Sequence, residues 1–487
     1  MMLDLLTATI VTLAASSLLL PLLQLRRIGP ANLSGYILAA VLSAVMLMLG
    51  VYATGPTQSP WFGSLLAYDQ LGTLFALVTV GVTLMVTVAS FGYLKDVNNP
   101  VYYSLLSFTA LGMVLLSFSE NLLMLLVAWE LMSLPTYVLA GYDRRVRSNE
   151  AAVKYAVIGA MSSAVILYAI SLAYGLTGSI EIPAVVRGLV AQPSILTALT
   201  VLLFIAGFGF KMSVVPFHMW IPDAYEGAPT TVSTLLAAGT KKAGFIAAIR
   251  VVLAMTTIYI VTHSPLFTVA NVLAVLALLT MTLGNIAALT QKSMTRLLAY
   301  SSIAQAGYIL IGFVPFANNP SSVAATIGMT GALIQIVNHA VMKGVAFLAA
   351  ALVLYELRRS DVGAYNGLAK RMPITAFTLA VALLALAGVP PLSGFWGKLM
   401  LFLSVAYGPF DWLAVAGILN SALSIGYYGY IIKRMYIDDP EVAGRVAEPR
   451  AYVIVFAAAV GLIIGIGLFP QPLINFASSA VANIIPK

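Results

Sequence analysis

Apolar runs of about twenty residues recur along almost the whole chain, and no other feature limits its fold so strongly. A hydrocarbon layer about 30 Å thick is crossed by about 20 helical residues. Inside that layer every backbone N–H and C=O must be bonded within the protein, which leaves helices or a closed barrel. Barrel strands are shorter and alternate apolar with polar residues; these runs do neither. Of 487 residues, 61% are hydrophobic and 9% charged, against about 25% charged in an ordinary soluble chain. The expected fold is therefore an all-α polytopic membrane protein. Spans are expected near 5–25, 33–53, 70–94, 102–119, 121–141, 151–175, 195–222, 229–257, 267–290, 295–314, 322–357, 373–404, 410–435 and 451–469. That makes about 14 transmembrane helices, followed by a short interfacial helix over 473–484. The opening segment lacks a basic leader and a small-residue cleavage site, so it reads as a retained first span.

The basic residues sort strongly by side. Loops after odd-numbered spans hold sixteen: Arg26, Arg27, Lys95, Arg144, Arg145, Arg147, Lys292, Arg296, Arg358, Arg359, Lys370, Arg371, Lys433, Arg434, Arg445 and Arg450. Loops after even-numbered spans hold only Arg187, and Lys487 ends the chain. The positive-inside rule then puts the odd loops in the cytoplasm and both termini on the outer side. The net charge of +8 is accounted for by this sorting, and no nucleic-acid partner is expected. No soluble domain fits between spans, because the longest connections are 176–194 and 436–450.

Seven basic residues remain within spans: Lys154, Lys211, Lys241, Lys242, Arg250, Lys343 and Lys398. Lys154 and Arg250 lie nearer span ends, where a long side chain can snorkel to the interface. The other five lie deep, at a cost of about 2.5–3.5 kcal/mol each on insertion scales. Such residues face the protein interior or a wet cavity and mark ion pathways. Glu130 lies in the fifth span and can pair with Lys211 if the fifth and seventh spans pack together. A lysine beside a movable carboxylate has two affinities for a proton. His339 and Lys343 are four apart and share a helical face. Glu130, Lys211, Lys241, His339, Lys343 and Lys398 thus form a candidate row of titratable groups across the membrane. A single pair would read as a structural tie between helices. A row with more lysines than carboxylates suits proton transfer.

Two spans are broken. GFGFKMSVVPFHMWIP carries Gly207, Gly209, Lys211 and Pro216 in the seventh; LAGVPPLSGFWGKLMLF carries Gly388, Pro390, Pro391 and Lys398 in the twelfth. Paired interrupted segments in corresponding positions point to inverted repeats. The expected division is 1–101 for helices 1–3, 102–257 for a first five-helix repeat, 267–435 for a second, inverted one, and 436–487 for the last helix and tail.

Other chemistry is sparse. The absence of Cys excludes disulfides, thiolate metal sites and iron–sulfur ligation by this chain. His218, His263 and His339 are too few and too scattered for haem pairs or a metal cluster. No phosphate-cradling glycine loop is present. Asp69 opens the third span and reads as an N-cap; His218 stands near Asp223 and Glu226, as a helix cap or a proton entrance.

The strings WELMSLPTYVLAGY (129–142), EAAVKYAVIGAMSSAVILYAISLAYGLTGS (150–179), GFGFKMSVVPFHMWIPDAYEGAPTTVS (207–233), RLLAYSSIAQAGYILIG (296–312) and GVPPLSGFWGK (388–398) resemble the antiporter-like membrane subunits of respiratory complex I, subunit N of NADH-quinone oxidoreductase in particular. The resemblance spans roughly 65–435. It implies a fourteen-helix fold with two inverted repeats, and a proton-translocating unit driven by quinone reduction in a neighbouring subunit. It implies no cofactor on this chain, with quinone, flavin and iron–sulfur clusters on partner subunits. It also implies other membrane and peripheral subunits as partners and the cell (inner or plasma) membrane as the location. By motif, Glu130, Lys211, Lys241 and Lys398 match the family's functional charges. Two departures stand out. Gln305 replaces a His common in subunit N, and NHAVMKGVAFL (338–348), with His339 and Lys343, looks more like L-type, M-type and Mrp subunits. The alternatives are a subunit of an Mrp-type Na⁺/H⁺ antiporter or of a membrane-bound hydrogenase, or a scaffold whose charges only hold helices together. Lys242 reads as an extra charge beside Lys241, expected to matter less.

Overall fold

A computed structural model describes residues 4–23, 32–54, 63–93, 100–255, 268–442 and 444–482. Arg26, Arg27, Lys95, His263 and Lys487 lie outside the described residues. The helices that position the site are α1 (Leu5–Leu19), α2 (Leu33–Thr54), α3 (Gln70–Tyr93), α4 (Pro100–Phe118), α5 (Leu122–Ala140) and α6 (Val146–Thr177). They continue with α7 (Ile182–Ala191), α8 (Ile195–Met212), α9 (Ile221–Gly227), α10 (Lys241–Val251), α11 (Val269–Leu289) and α12 (Met294–Ile311). The last are α13 (Val323–Leu357), α14 (Pro373–Ala387), α15 (Ser393–Val405), α16 (Asp411–Tyr436), α17 (Arg450–Leu468) and α18 (Gln471–Ala482).

Eleven helices among the described residues are long and apolar enough to cross a membrane. The first, eighth and twelfth expected spans are built from shorter pieces. α7 was not expected: the 176–194 connection folds into a helix there, because Val185 and Leu189 bury one apolar edge against the bundle. The helix starts follow ordinary capping chemistry, in which a side-chain oxygen satisfies an orphan N–H of the first turn. Asn121 accepts from Leu123 N at 2.9 Å, Thr268 from Asn271 N at 3.1 Å and Ser322 from Ala325 N at 3.0 Å.

Loops after odd spans are bonded to one another on one face. Arg147 pairs with Glu226 at 2.7 Å, and Arg296 with Asp223 at 2.9 Å and Glu226 at 3.1 Å. Met294 N donates to Ser360 O at 2.9 Å, and Gly367 N to Arg434 O at 2.9 Å. Arg359 pairs with Asp361 and Glu441, and its guanidinium holds the Asp361 carboxyl below the usual carboxylate range. The opposite face gathers the even loops, where Leu122 N donates to Ile180 O at 2.8 Å and Ala67 N to Phe118 O at 2.6 Å. The side-sorting of charge in the sequence therefore coincides with two physical ends of one bundle.

Arg250 does not snorkel. Its guanidinium turns inward, reaching Asp69 Oδ2 at 3.0 Å and Oδ1 at 2.9 Å, and the Ser117 carbonyl at 2.6 Å and 2.9 Å. Asp69 also caps α3 through Gly72 N at 2.7 Å. One bidentate pair thus ties α3, α4 and α10, because a planar guanidinium matches a carboxylate and keeps donors for a carbonyl. Lys154, by contrast, stays near the surface with Glu150 at 2.6 Å and Asp223 at 3.1 Å. Removing one member of a buried ion pair costs about 3–5 kcal/mol, whereas replacing both by apolar groups can be neutral. Arg250→Met is expected to lower the thermal unfolding midpoint followed by tryptophan fluorescence in detergent, and Arg250→Met with Asp69→Leu to recover most of it. An unchanged midpoint for the single variant would rule out the tie.

Candidate functional site

Both broken spans place a lysine at the same kind of point. α8 ends at Met212, with Ser213 in the left-handed region at φ +71°. Val214 N folds back to Gly209 O at 3.0 Å. Lys211 sits in the last turn of α8, where unpaired carbonyls make the helix end partly negative and favour a cation. α14 ends at Gly388, whose φ of +90° suits glycine. Lys398, on α15, reaches back across this break. Its Nζ donates to Ala387 O at 2.9 Å and to Ser421 Oγ at 2.9 Å. A Cβ on Gly388 would lie 2.9 Å from Lys398 Cδ, so the glycine also leaves room for the lysine stem. In each case the amine occupies the C-terminal end of the leading half-helix.

Lys211 is buried, and Nζ donates to the Tyr155 hydroxyl at 2.6 Å. That hydroxyl lies 3.1 Å from Thr136 Oγ1, with Thr240 also in reach. The ammonium stands over the rings of Tyr155 at 4.8 Å and Tyr137 at 5.5 Å, which attract a cation through their negative faces. Trp220 stacks on Tyr155 at 4.6 Å and donates its indole N–H to Phe210 O at 3.2 Å, holding the tyrosine in place. Gly244 lets α10 press against this point, since a Cβ there would lie 2.8 Å from Met212 N.

The direct Glu130–Lys211 ion pair is not made. Among the described residues, no carboxylate oxygen lies within 4.0 Å of Lys211, Lys241, Lys242, Lys343 or Lys398. Tyr155 takes the place expected for Glu130, because α6 aims its hydroxyl at the end of α8. The buried Oε1 of Glu130 has no hydrogen-bond partner.

The central cluster is assembled from α10, α12 and α13. A wide π-type segment, Leu235–Thr240, leads directly into Lys241; such turns recur at functional sites. Lys241 Nζ donates to Ser302 O at 2.6 Å and Ser302 Oγ at 3.0 Å. Lys242 Nζ is in direct contact with His339 Nδ1, and Ser302 Oγ lies 3.5 Å from His339 Nε2. Lys343 Nζ contacts Ser301 Oγ. All four titratable side chains are buried. Two consecutive serines on α12 therefore stand among three lysines and a histidine, with hydroxyls that can donate and accept.

Gln305 lies on the same helix, one turn further. Gln335 Nε2 donates to Gln305 Oε1 at 2.9 Å, and Gln305 Nε2 to Leu386 O at 3.0 Å, next to the carbonyl that holds Lys398. Tyr308 follows, its ring 4.7 Å from Lys398 Nζ and its hydroxyl 3.0 Å from Asn285 Nδ2.

The structure thus brings Lys241, His339 and Lys343 together, places Lys211 and Lys398 at the two helix breaks, and leaves Glu130 without a direct bond. Sequence reasoning passed over Tyr155, Ser301, Ser302, Gln335 and Tyr308. Hydroxyl and amide residues are common in apolar helices, and nothing in spacing separates these from packing residues. Lys242, read as secondary, is as deeply buried as Lys241 and holds the histidine. His218 is buried, with Nδ1 unpartnered. Among the described residues no group of three or more His, Asp or Glu side chains could hold a metal.

The chain resembles known proteins over nearly its full length. It is 38% identical over 479 residues to F(420)H(2) dehydrogenase subunit N of Methanosarcina mazei, covering 93% of each chain. It is 38% identical over 431 residues to NADH-quinone oxidoreductase subunit N of Desulfitobacterium hafniense, covering 86% of each. A chain of respiratory complex I from Thermus thermophilus superposes with a TM-score of 0.80 at 31% identity, covering 96% of this chain and 98% of that one. Residues 119–424, which hold every lysine of the row, match the family model for the transmembrane part of NADH:quinone oxidoreductase and Mrp antiporters. The chain belongs to that NADH:quinone oxidoreductase/Mrp antiporter transmembrane family.

Proposed function

We propose that the chain is the antiporter-like, proton-translocating subunit of a quinone-reducing oxidoreductase of the complex I type. The observation that carries this reading is the row of five buried lysines bonded to hydroxyls, carbonyls and one histidine, and to no carboxylate. A helix-orienting scaffold would pair its cations, since a buried unpaired charge is costly. Groups that each gain and lose a proton, separated by hydroxyls, are what a relay requires.

The proton path runs from Lys211 through Tyr155 and Thr240 to Lys241. It continues over Ser302 and His339 to Lys242, and over Ser301 to Lys343. Gln305, Gln335 and Tyr308 lead on to Lys398. Three charged amines as close as Lys241, Lys242 and Lys343 repel one another, so a proton arriving at one drives release from another. Glu130 acts on Lys211 by its charge without a direct bond. Two relatives of equal identity are subunit N of complexes named for different electron donors, F(420)H(2) and NADH; the donor site accordingly belongs to other chains, and this chain works without redox chemistry of its own. Residues 102–257 and 267–435 are read as inverted repeats, with the odd loops cytoplasmic and both termini outside.

The test uses the purified complex in sealed vesicles, with assembly checked first. Lys211→Ala is expected to lower proton uptake and quinone reduction together; unchanged activities in an assembled complex would make the lysine structural. Tyr155→Phe removes a hydrogen bond to a charged group, worth about 1.5–3 kcal/mol, and is expected to slow proton uptake about 10- to 100-fold. Lys242→Ala is expected to lower uptake as much as Lys241→Ala, because it strips His339 of its partner. A Lys242→Ala complex that pumps normally would remove the histidine branch from the path.

A further inference from the structure

A groove of about 360 Å³ opens beside Lys398, within the range of about 300–1,000 Å³ common for small-molecule sites. Its walls are α15 and α16. It runs from Gly388, Lys398 and Ser421, at the level of the helix break, to Ala406 and Ala414, beside the loop that joins the two helices. Phe395, Leu399 and Phe402 make its apolar flank. Leu403 and Ile418 line its mouth and are 46% and 55% exposed, on the outer flank of two apolar helices. The groove is therefore open on the side of the bundle and ends at an amine.

Lys398 as a residue is only 4% exposed. Its Nζ donates to Ala387 O and Ser421 Oγ, which uses two of its three N–H donors, and stands 4.7 Å from the centre of the Tyr308 ring. None of the ion pairs among the described residues includes it. A buried ammonium with a spare donor and no counter-ion, at the end of an apolar slot, complements a molecule with one anionic head and one hydrocarbon tail. A volume of about 360 Å³ falls far short of what a phosphate head with two hydrocarbon tails occupies.

We infer that this groove is a binding site for a long-chain fatty acid, entering from the lipid phase. The carboxylate accepts the third N–H of Lys398, and the tail lies against Phe395, Leu399 and Phe402 towards Leu403. The interaction is a charge-assisted hydrogen bond in a dry setting, the stronger kind. The site does not depend on proton transfer through Lys398, and binding is measured without turnover.

The test is photolabelling of the intact complex in nanodiscs with palmitic acid carrying a diazirine at its chain end. Labelled peptides are expected from α15 and α16, competed by oleate and not by its uncharged methyl ester. Lys398→Gln is expected to lower this labelling by about tenfold or more, the scale of a lost hydrogen bond to a charged group, while Lys398→Arg retains it. Leu403→Trp, a change at the exposed mouth, blocks the slot and is expected to lower labelling with Lys398 in place. The proposal is overturned if wild type is labelled elsewhere, if methyl oleate competes as well as oleate, or if Leu403→Trp labels undiminished. Equal labelling of Lys398→Gln and wild type would likewise show that the groove takes lipid hydrocarbon alone.

Discussion

A cation buried in a hydrocarbon layer has to be compensated by something, and the site depends on what does it here. Carboxylates are scarce inside the bundle. The compensation comes from helix ends, freed carbonyls, hydroxyls and aromatic faces. Lys211 sits in the last turn of α8 over two tyrosine rings, and Lys398 holds a carbonyl left free at the end of α14. Partial charges of this kind stabilise an ammonium without committing it to remain charged, as a full counter-ion would. Breaking a helix at membrane depth exposes the carbonyls that do this, and is tolerated where the break is buried in protein.

The same economy explains the close packing around the breaks. Gly244 admits α10 to within contact of the Met212 backbone beside Lys211, and Gly388 leaves space for the Lys398 stem. The ion pair between Arg250 and Asp69 lies at one end of the bundle and ties three helices. Paired and unpaired charge are thus separated in space. The paired residues occupy the two ends, and the unpaired amines form the middle layer.

Relatives named for different electron donors match this chain over 93% and 86% of its length, and the family model covers the breaks and the central cluster. A bundle with few groups outside the membrane has little means of recognising a redox substrate. The proposed relay accordingly rests on side chains within the bundle, the lysines and the hydroxyls between them.

The span positions, the side-sorting of charge and the two breaks were legible in the sequence because each follows from a local rule. Twenty apolar residues must span, basic residues collect on one side, and glycine and proline interrupt helices. The depth of Lys211, Lys241, Lys343 and Lys398 was legible for the same reason. What those amines touch was not. Whether Lys211 meets Glu130 or Tyr155 depends on how α5, α6 and α8 are rotated about their axes, and apolar helices carry no strong amphipathic stripe to announce a rotation. The inward turn of Arg250, the contact of Lys242 with His339 and the roles of Ser301 and Ser302 were decided in the same way, by tertiary packing. The sequence by itself determined that the deep lysines are buried, because burial follows from the length of the apolar run around each one. Only the tertiary structure decided their partners, because partners come from other helices whose relative orientation no local rule specifies.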